Sequence, residues 1–246
     1  MFCTMKDEPV IMAAVKNRHT NFLLGFVFLT FIVSIVFVII RIISAPTIAP
    51  SSEITVRIKS DYILMLLQCV LGVVSILLPW FVKRKANLHV PPFMISMYAI
   101  FLYCAIYLGE VRIFFYRVPH WDTVSHVFSG MALGALGFSV VSLLHKPENI
   151  ITSLSPVFVA LFAFCFSLSL GVIWEIYEFS MDYFLHTNMQ KYSLESGILL
   201  AGQTALTDTM KDLIVDAIGA FAMSVIGYIS LKYNKSWLEK IHIKRI

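Results

Sequence analysis

The sequence predicts an all-α, polytopic integral membrane protein of about six transmembrane helices, and three observations carry that prediction. Apolar residues make up 59% of the 246-residue chain and charged residues only 14%, with a mean hydropathy of +0.81. A water-soluble domain is nearer about 45–50% apolar and about 25% charged. Six apolar segments reach the length of about 20 residues needed to cross a hydrocarbon layer of roughly 30 Å. They run over 20–43, 62–82, 92–110, 121–144, 155–180 and 210–231. Finally, several connections between segments carry helix breakers: Ala45-Pro46, Pro50 with Ser51 and Ser52, Pro91-Pro92 and Lys146-Pro147. Lipid leaves no partner for an open backbone, so runs this continuous are read as helices.

Lys16 and Arg18 precede the first segment, whose apolar stretch over 22–40 exceeds the roughly 7–15 residues of a signal-peptide core. It reads as a retained anchor. Orientation follows from Lys and Arg in the flanks. With the N-terminus inside, twelve basic residues lie in the cytoplasm: Lys6, Lys16, Arg18, Lys83, Arg84, Lys85, Lys146, Lys232, Lys235, Lys240, Lys244 and Arg245. The remaining seven, Arg41, Arg57, Lys59, Arg112, Arg117, Lys191 and Lys211, lie outside. The chain is therefore expected to be N-in and C-in, a single membrane domain over 1–246. Helices one to three fall within 20–110, and helices four to six within 110–231.

Helices four to six carry the unusual chemistry. Asp122, Glu175, Glu178, Asp182, Asp208, Asp212 and Asp216 sit at or just inside the ends of these apolar segments, with His120 and His126 beside the first. They are seven of the chain's 15 acidic residues. An ionisable group at the centre of a spanning helix costs roughly 2.5–3.5 kcal/mol on insertion scales, so such a gathering calls for a function. The topology brings the start of helix four, the end of helix five and the start of helix six to the same extracytoplasmic side. Helical spacing then aligns the side chains. Asp122 and His126 are i, i+4, followed on the same stripe by Gly130 and Gly134. Glu175, Glu178 and Asp182 are i, i+3, i+7, with Gly171 below them. Asp208, Asp212 and Asp216 step by four toward Gly219. Small residues at this spacing let helices approach closely.

Carboxylates with one or two imidazoles suit a divalent metal, and such a site activates water or polarises a phosphoryl oxygen. All nine residues are candidate metal ligands. His126, Asp122 and Glu175 are the candidate catalytic residues, with histidine titrating near neutral pH as a general base. At this depth the natural substrates are lipid headgroups or lipid-linked envelope precursors. A cation or proton pathway is the runner-up, since buried acids mark such routes. A structural role, with Asp122 and Asp208 capping helices or acids pairing with Arg112, Arg117 or Lys211, and a non-catalytic membrane partner are the other readings. Glu110 either joins the cluster or pairs with Arg112. The stretch over 183–207 is a candidate lid.

Other features are plainer. Cys3, Cys69, Cys104 and Cys165 show no CxxC spacing and read as small buried hydrophobes. Trp121, Trp174, Tyr177 and Tyr183 read as an outer aromatic belt, and His89 and His145 as interfacial. A net charge of +4, with no phosphate-binding loop, RNA-binding motif or repeat, excludes a nucleic-acid partner and points to the bilayer.

Three stretches resemble bacterial YjdF-like membrane-spanning proteins. They begin at His120-Trp121-Asp122 and run to Gly130, at Trp174-Glu175 and run to Asp182, and at Asp208 and run to Ala220. The resemblance spans roughly 110–230 and implies a multi-pass protein of the bacterial plasma membrane. A more distant likeness is to VanZ-like proteins, whose pattern is similar to Asp-x-x-x-His, then Glu three residues before Gln, then Asp-x-x-x-Asn-x-x-Gly. Asp122 and His126 match the first part, Glu175 the second, and Asp212 and Gly219 the third. Glu178 stands in place of the Gln and Asp216 in place of the Asn, which raises the local negative charge. VanZ-like proteins are associated with glycopeptide resistance, so this likeness implies work at the cell envelope.

Overall fold

Among the described residues, six helices are long and apolar enough to cross a membrane: Arg18–Ser44, Lys59–Ala86, Pro92–Val111, Trp121–Leu144, Pro156–Leu185 and Gln203–Lys232. The computed structural model describes residues 8–47, 57–144, 154–194, 198–233 and 243–245. In chain order the elements are α1 (Glu8–Ser44), α2 (Lys59–Ala86), β1 (Leu88–His89), α3 (Pro92–Leu102), a π-helical segment (Tyr103–Val111), α4 (Phe114–Arg117), α5 (Trp121–Leu144), α6 (Pro156–Leu185), α7 (Gln203–Lys232) and β2 (Lys244–Arg245). The all-α polytopic class expected from composition is the class observed. Cys3, His145, Pro50, Ser51, Ser52, Lys146 and Pro147 lie outside the described residues, as do the basic residues Lys6, Lys235 and Lys240.

Most helices run past the apolar stretches that reveal them, because a helix continues into the polar interface where hydropathy falls. α1 starts at Glu8 rather than near 20, and α7 at Gln203 rather than near 210. Gly202 precedes it at φ 60, ψ −135, a conformation open to glycine. Asp208 therefore lies in the second turn and does not cap the helix. Ser155 caps α6 by accepting from the Phe158 amide at 3.2 Å, with Pro156 in the first turn. Asn87 ends α2 in the left-handed conformation, and β1 then pairs antiparallel with β2. The third span changes from α to π bonding at Tyr103. This turns its end relative to an α-helical register and directs Glu110 toward α2.

The helices pack in two groups. Val27 and Phe31 of α1 meet Cys69 and Ile76 of α2, with Leu102 and Ile106 of the third span. In the second group, Phe138 of α5, Val159 and Ala163 of α6 and Met223 of α7 form the contact. Outside, Phe22 is 76% and Phe221 61% exposed, as a lipid-facing surface requires. Cys69 is buried, whereas Cys165 is exposed on this apolar exterior, contrary to the buried role expected of it.

Glycine decides how close the second group packs. A Cβ on Gly130 of α5 would fall 2.6 Å from the backbone carbonyl oxygen of Asp216 in α7, and one on Gly219 would strike the Val127 carbonyl. Backbones this near, at the end where α5 and α7 begin and α6 finishes, bring short carboxylate side chains from different helices into one place.

Candidate functional site

His126 is the centre of the arrangement. Its Nε2 lies 3.7 Å from Asp122 Oδ1, one turn back on α5, and 3.9 Å from Asp212 Oδ2 on α7. Its Nδ1 lies 3.4 Å from Asp216 Oδ1. Charge-assisted hydrogen bonds are shorter, at about 2.7–2.9 Å, so the imidazole is surrounded by carboxylates rather than closed onto one. Ser129 holds the inner side: its one hydroxyl proton is shared between the His126 carbonyl at 2.8 Å and Asp216 Oδ1 at 3.2 Å. The other oxygen of Asp216 is accommodated by Gly171 of α6, where a Cβ would come within 2.6 Å of it.

From α6, Glu175 and Glu178 are 4% and 8% exposed and lie within electrostatic reach of His126. Glu178 accepts a hydrogen bond from the Trp174 indole at 2.9 Å. Neither oxygen of Glu175 has a well-formed hydrogen bond, although the Thr209 hydroxyl lies near, and Asp212 Oδ1 is likewise buried and unpartnered. Such groups are costly unless a proton or cation satisfies them.

Asp122 Oδ2 and both oxygens of Asp208 are held by the Lys191 ammonium, at 2.6, 2.9 and 3.2 Å. Burial alone would lower the lysine's proton affinity, but the two carboxylates outweigh it and raise the pKa above its ordinary value. Arg112, Arg117 and Lys211, the partners expected from sequence, are exposed. Lys191 comes from the connection between α6 and α7, which Asp182 anchors. The Asp182 carboxylate accepts from the Thr187 hydroxyl at 2.6 Å and from the Met189 and Gln190 amides at 2.7 and 2.9 Å.

The nine residues singled out from sequence thus separate by role. Asp122, His126, Asp212 and Asp216 converge, with Glu175 and Glu178 beside them. Asp208 binds Lys191. Asp182 is saturated by its own loop, and a carboxylate so engaged is a structural anchor. His120 is exposed, at φ 61 in the turn before α5, apart from the cluster. Glu110 pairs with neither Arg112 nor His126. It accepts from the buried Gln68 amide at 3.3 Å, while Arg57 donates to its carbonyl at 3.1 Å. Trp121 and Trp174, expected as belt residues, also donate inward, Trp121 to the Cys104 carbonyl. Sequence reasoning missed Ser129 and the role of Lys191. The available signal was that Lys191 is the one basic residue between 183 and 207 in an acid-rich end.

A divalent cation takes ligands about 2.0–2.6 Å away, so any two of them lie within roughly twice that distance. One ligand atom each from Asp122, His126 and Asp212 meets this limit, all within 4.8 Å of one another. Imidazole with carboxylate oxygens suits Mn²⁺, Zn²⁺ or Fe²⁺.

Residues 26–233 match the family described as "Predicted membrane protein (DUF2238)". The chain belongs to this family. The DUF2238 match takes in the last five spans, most of the first, and every residue of the cluster. A relative from Thermotoga maritima, named "Uncharacterized protein", is 23% identical over 150 residues, covering 61% of this chain and 69% of the relative. No solved structure matches. The likeness to YjdF-like and VanZ-like proteins rests on the quoted motifs alone, since neither name attaches to the family match or the relative.

Proposed function

We propose that this DUF2238 protein binds a divalent cation at the extracytoplasmic face of the bacterial plasma membrane, and uses it to act on a lipid or lipid-linked envelope substrate. Asp122, His126 and Asp212 are the first ligands, with Glu175 in reserve. The observation that carries the reading is the unpartnered, buried Oδ1 of Asp212 within a three-residue ligand set, with the buried Glu175 carboxylate beside it. At an effective dielectric of about 20, two like charges 4 Å apart repel by roughly 4 kcal/mol, so six gathered carboxylates require positive charge beyond Lys191. Bound metal would polarise a headgroup oxygen or activate water; of the candidate catalytic residues, His126 and Asp122 would hold the metal and Glu175 would take the proton.

Metal analysis of detergent-purified protein tests this. The wild type is expected to hold near-stoichiometric Mn²⁺ or Zn²⁺ after loading, and Asp122→Asn, Glu175→Gln and Asp216→Asn to lose most of it. Substoichiometric metal, unchanged across the variants, would end the proposal. Cysteines placed at 186 and 85 test the orientation: 186 is expected to label from outside and 85 from the cytoplasm.

A cation- or proton-coupled transporter is the second reading. It is favoured by Ser224, buried at 6% with an unpartnered hydroxyl, two turns beyond Asp216 along α7. Sealed vesicles carrying the protein would then move a cation in response to a gradient, whereas an enzyme would convert a labelled lipid without doing so.

A further inference from the structure

Asp122 is a bridging carboxylate. Its Oδ1 faces His126 Nε2 at 3.7 Å, and its Oδ2 holds the Lys191 ammonium at 2.6 Å. Asp208 grips the same ammonium through both oxygens, at 2.9 and 3.2 Å. One carboxylate binding through both oxygens and another shared with a neighbouring position is how a pair of divalent cations is held, and such pairs sit about 3.5–4 Å apart. Lys191 does not reach this place by chance packing. It follows a segment tied to Asp182 by three hydrogen bonds, and it adopts φ 48, a conformation unusual for a residue with a side chain. Asn188 tightens the same segment, donating to the Ser193 carbonyl at 2.8 Å and accepting from the Ser193 amide at 3.0 Å.

We infer that the Lys191 ammonium is a tethered stand-in for a metal ion: it fills the outer of two cation positions bridged by Asp122, and so limits the cluster to one exchangeable divalent cation. The inference rests on the reading of the inner position, formed by Asp122, His126 and Asp212, as a metal site. Asp212, whose Oδ1 is buried and unpartnered, belongs to that inner position, and the buried Glu175 carboxylate lies within electrostatic reach of His126. Lys191 therefore sets the charge and stoichiometry of the site.

The experiment counts Mn²⁺ per chain by mass spectrometry after loading and removal of excess, in wild type, Lys191→Met and Lys191→Arg. The expected result is one more equivalent in Lys191→Met than in wild type, and a wild-type count in Lys191→Arg. One equivalent in both wild type and Lys191→Met overturns the inference and leaves the inner site standing. No metal in any variant overturns both. None in wild type and one in Lys191→Met upholds the stand-in role and removes the claim that the native protein is loaded. If Lys191→Met does not yield folded protein, the wild type itself decides. Acetylation of the wild type by a water-soluble N-hydroxysuccinimide ester, followed at Lys191 by mass spectrometry, is expected to raise the Mn²⁺ content by up to one equivalent in step with modification of Lys191. A count that does not change as Lys191 is modified overturns the inference.

Discussion

The two halves of this bundle solve the same packing problem with opposite materials. In α1, α2 and the third span, large side chains meet: Phe31, Val27, Ile76 and Ile106 fill the contact. In α5, α6 and α7, glycines meet backbone: Gly130 against Asp216, Gly219 against Val127, and Gly137 against Ala163. In lipid the hydrophobic effect does not drive one apolar helix onto another, so both contacts depend on fit. Only the second brings helix axes near enough for aspartates, whose reach is short, to surround one imidazole. The first half also carries a half-buried acid, Glu110, whose side chain accepts from the Gln68 amide. The difference teaches that small residues in this chain serve chemistry as well as packing.

The sharpest way to break that contrast is Gly130→Val. The new side chain would need room where backbone atoms of Asp216 and Ala220 stand 2.6 and 3.2 Å from its Cβ. A cost of about 3 kcal/mol is expected, with loss of bound metal, read by thermal unfolding in detergent and by metal content. Phe31→Ala should behave differently. Removing this fully buried ring in lipid sacrifices chiefly packing, so the cost should fall below the about 3–5 kcal/mol of a water-soluble core, and metal content should be unchanged. Metal loss in Phe31→Ala equal to that in Gly130→Val would dissolve the distinction between the halves.

The smallest effect concerns Lys191 and pH. Its pKa is raised in the folded protein by Asp122 and Asp208. A group raised on folding contributes fully below its unfolded value, about 10.4 for lysine, and loses that contribution as pH climbs through the folded value. The melting temperature should thus owe a constant increment to Lys191 from neutral pH to about 10, then lose it in more alkaline solution. Lys191→Met should lack that alkaline component. An identical alkaline profile in the variant would show that the ion pair contributes nothing.

Much of this was legible in the sequence, and the reason is periodicity. Six apolar runs and three charged stripes repeat with the helical period, so the spacing of Asp122 with His126 and of Asp212 with Asp216 already places each pair on one face. What was not legible depends on paths that have no period. Lys191 reaches Asp122 across 69 positions of sequence only because Asp182 folds the loop back, and nothing in the spacing of Asp182 separates an anchor from a ligand. The α-to-π change at Tyr103, beyond which Glu110 meets Gln68, has no counterpart in the apolar spacing. Hydropathy also misplaced the start of α7, because Gln203, Thr204 and Thr207 are polar although helical.

The account's central claim is that His126 and carboxylates from α5 and α7 hold one cation together. Zinc K-edge X-ray absorption of the loaded protein tests it most directly. One imidazole nitrogen among oxygen ligands is expected, with the imidazole signal disappearing in His126→Gln. An all-oxygen shell identical in wild type and variant would contradict the claim.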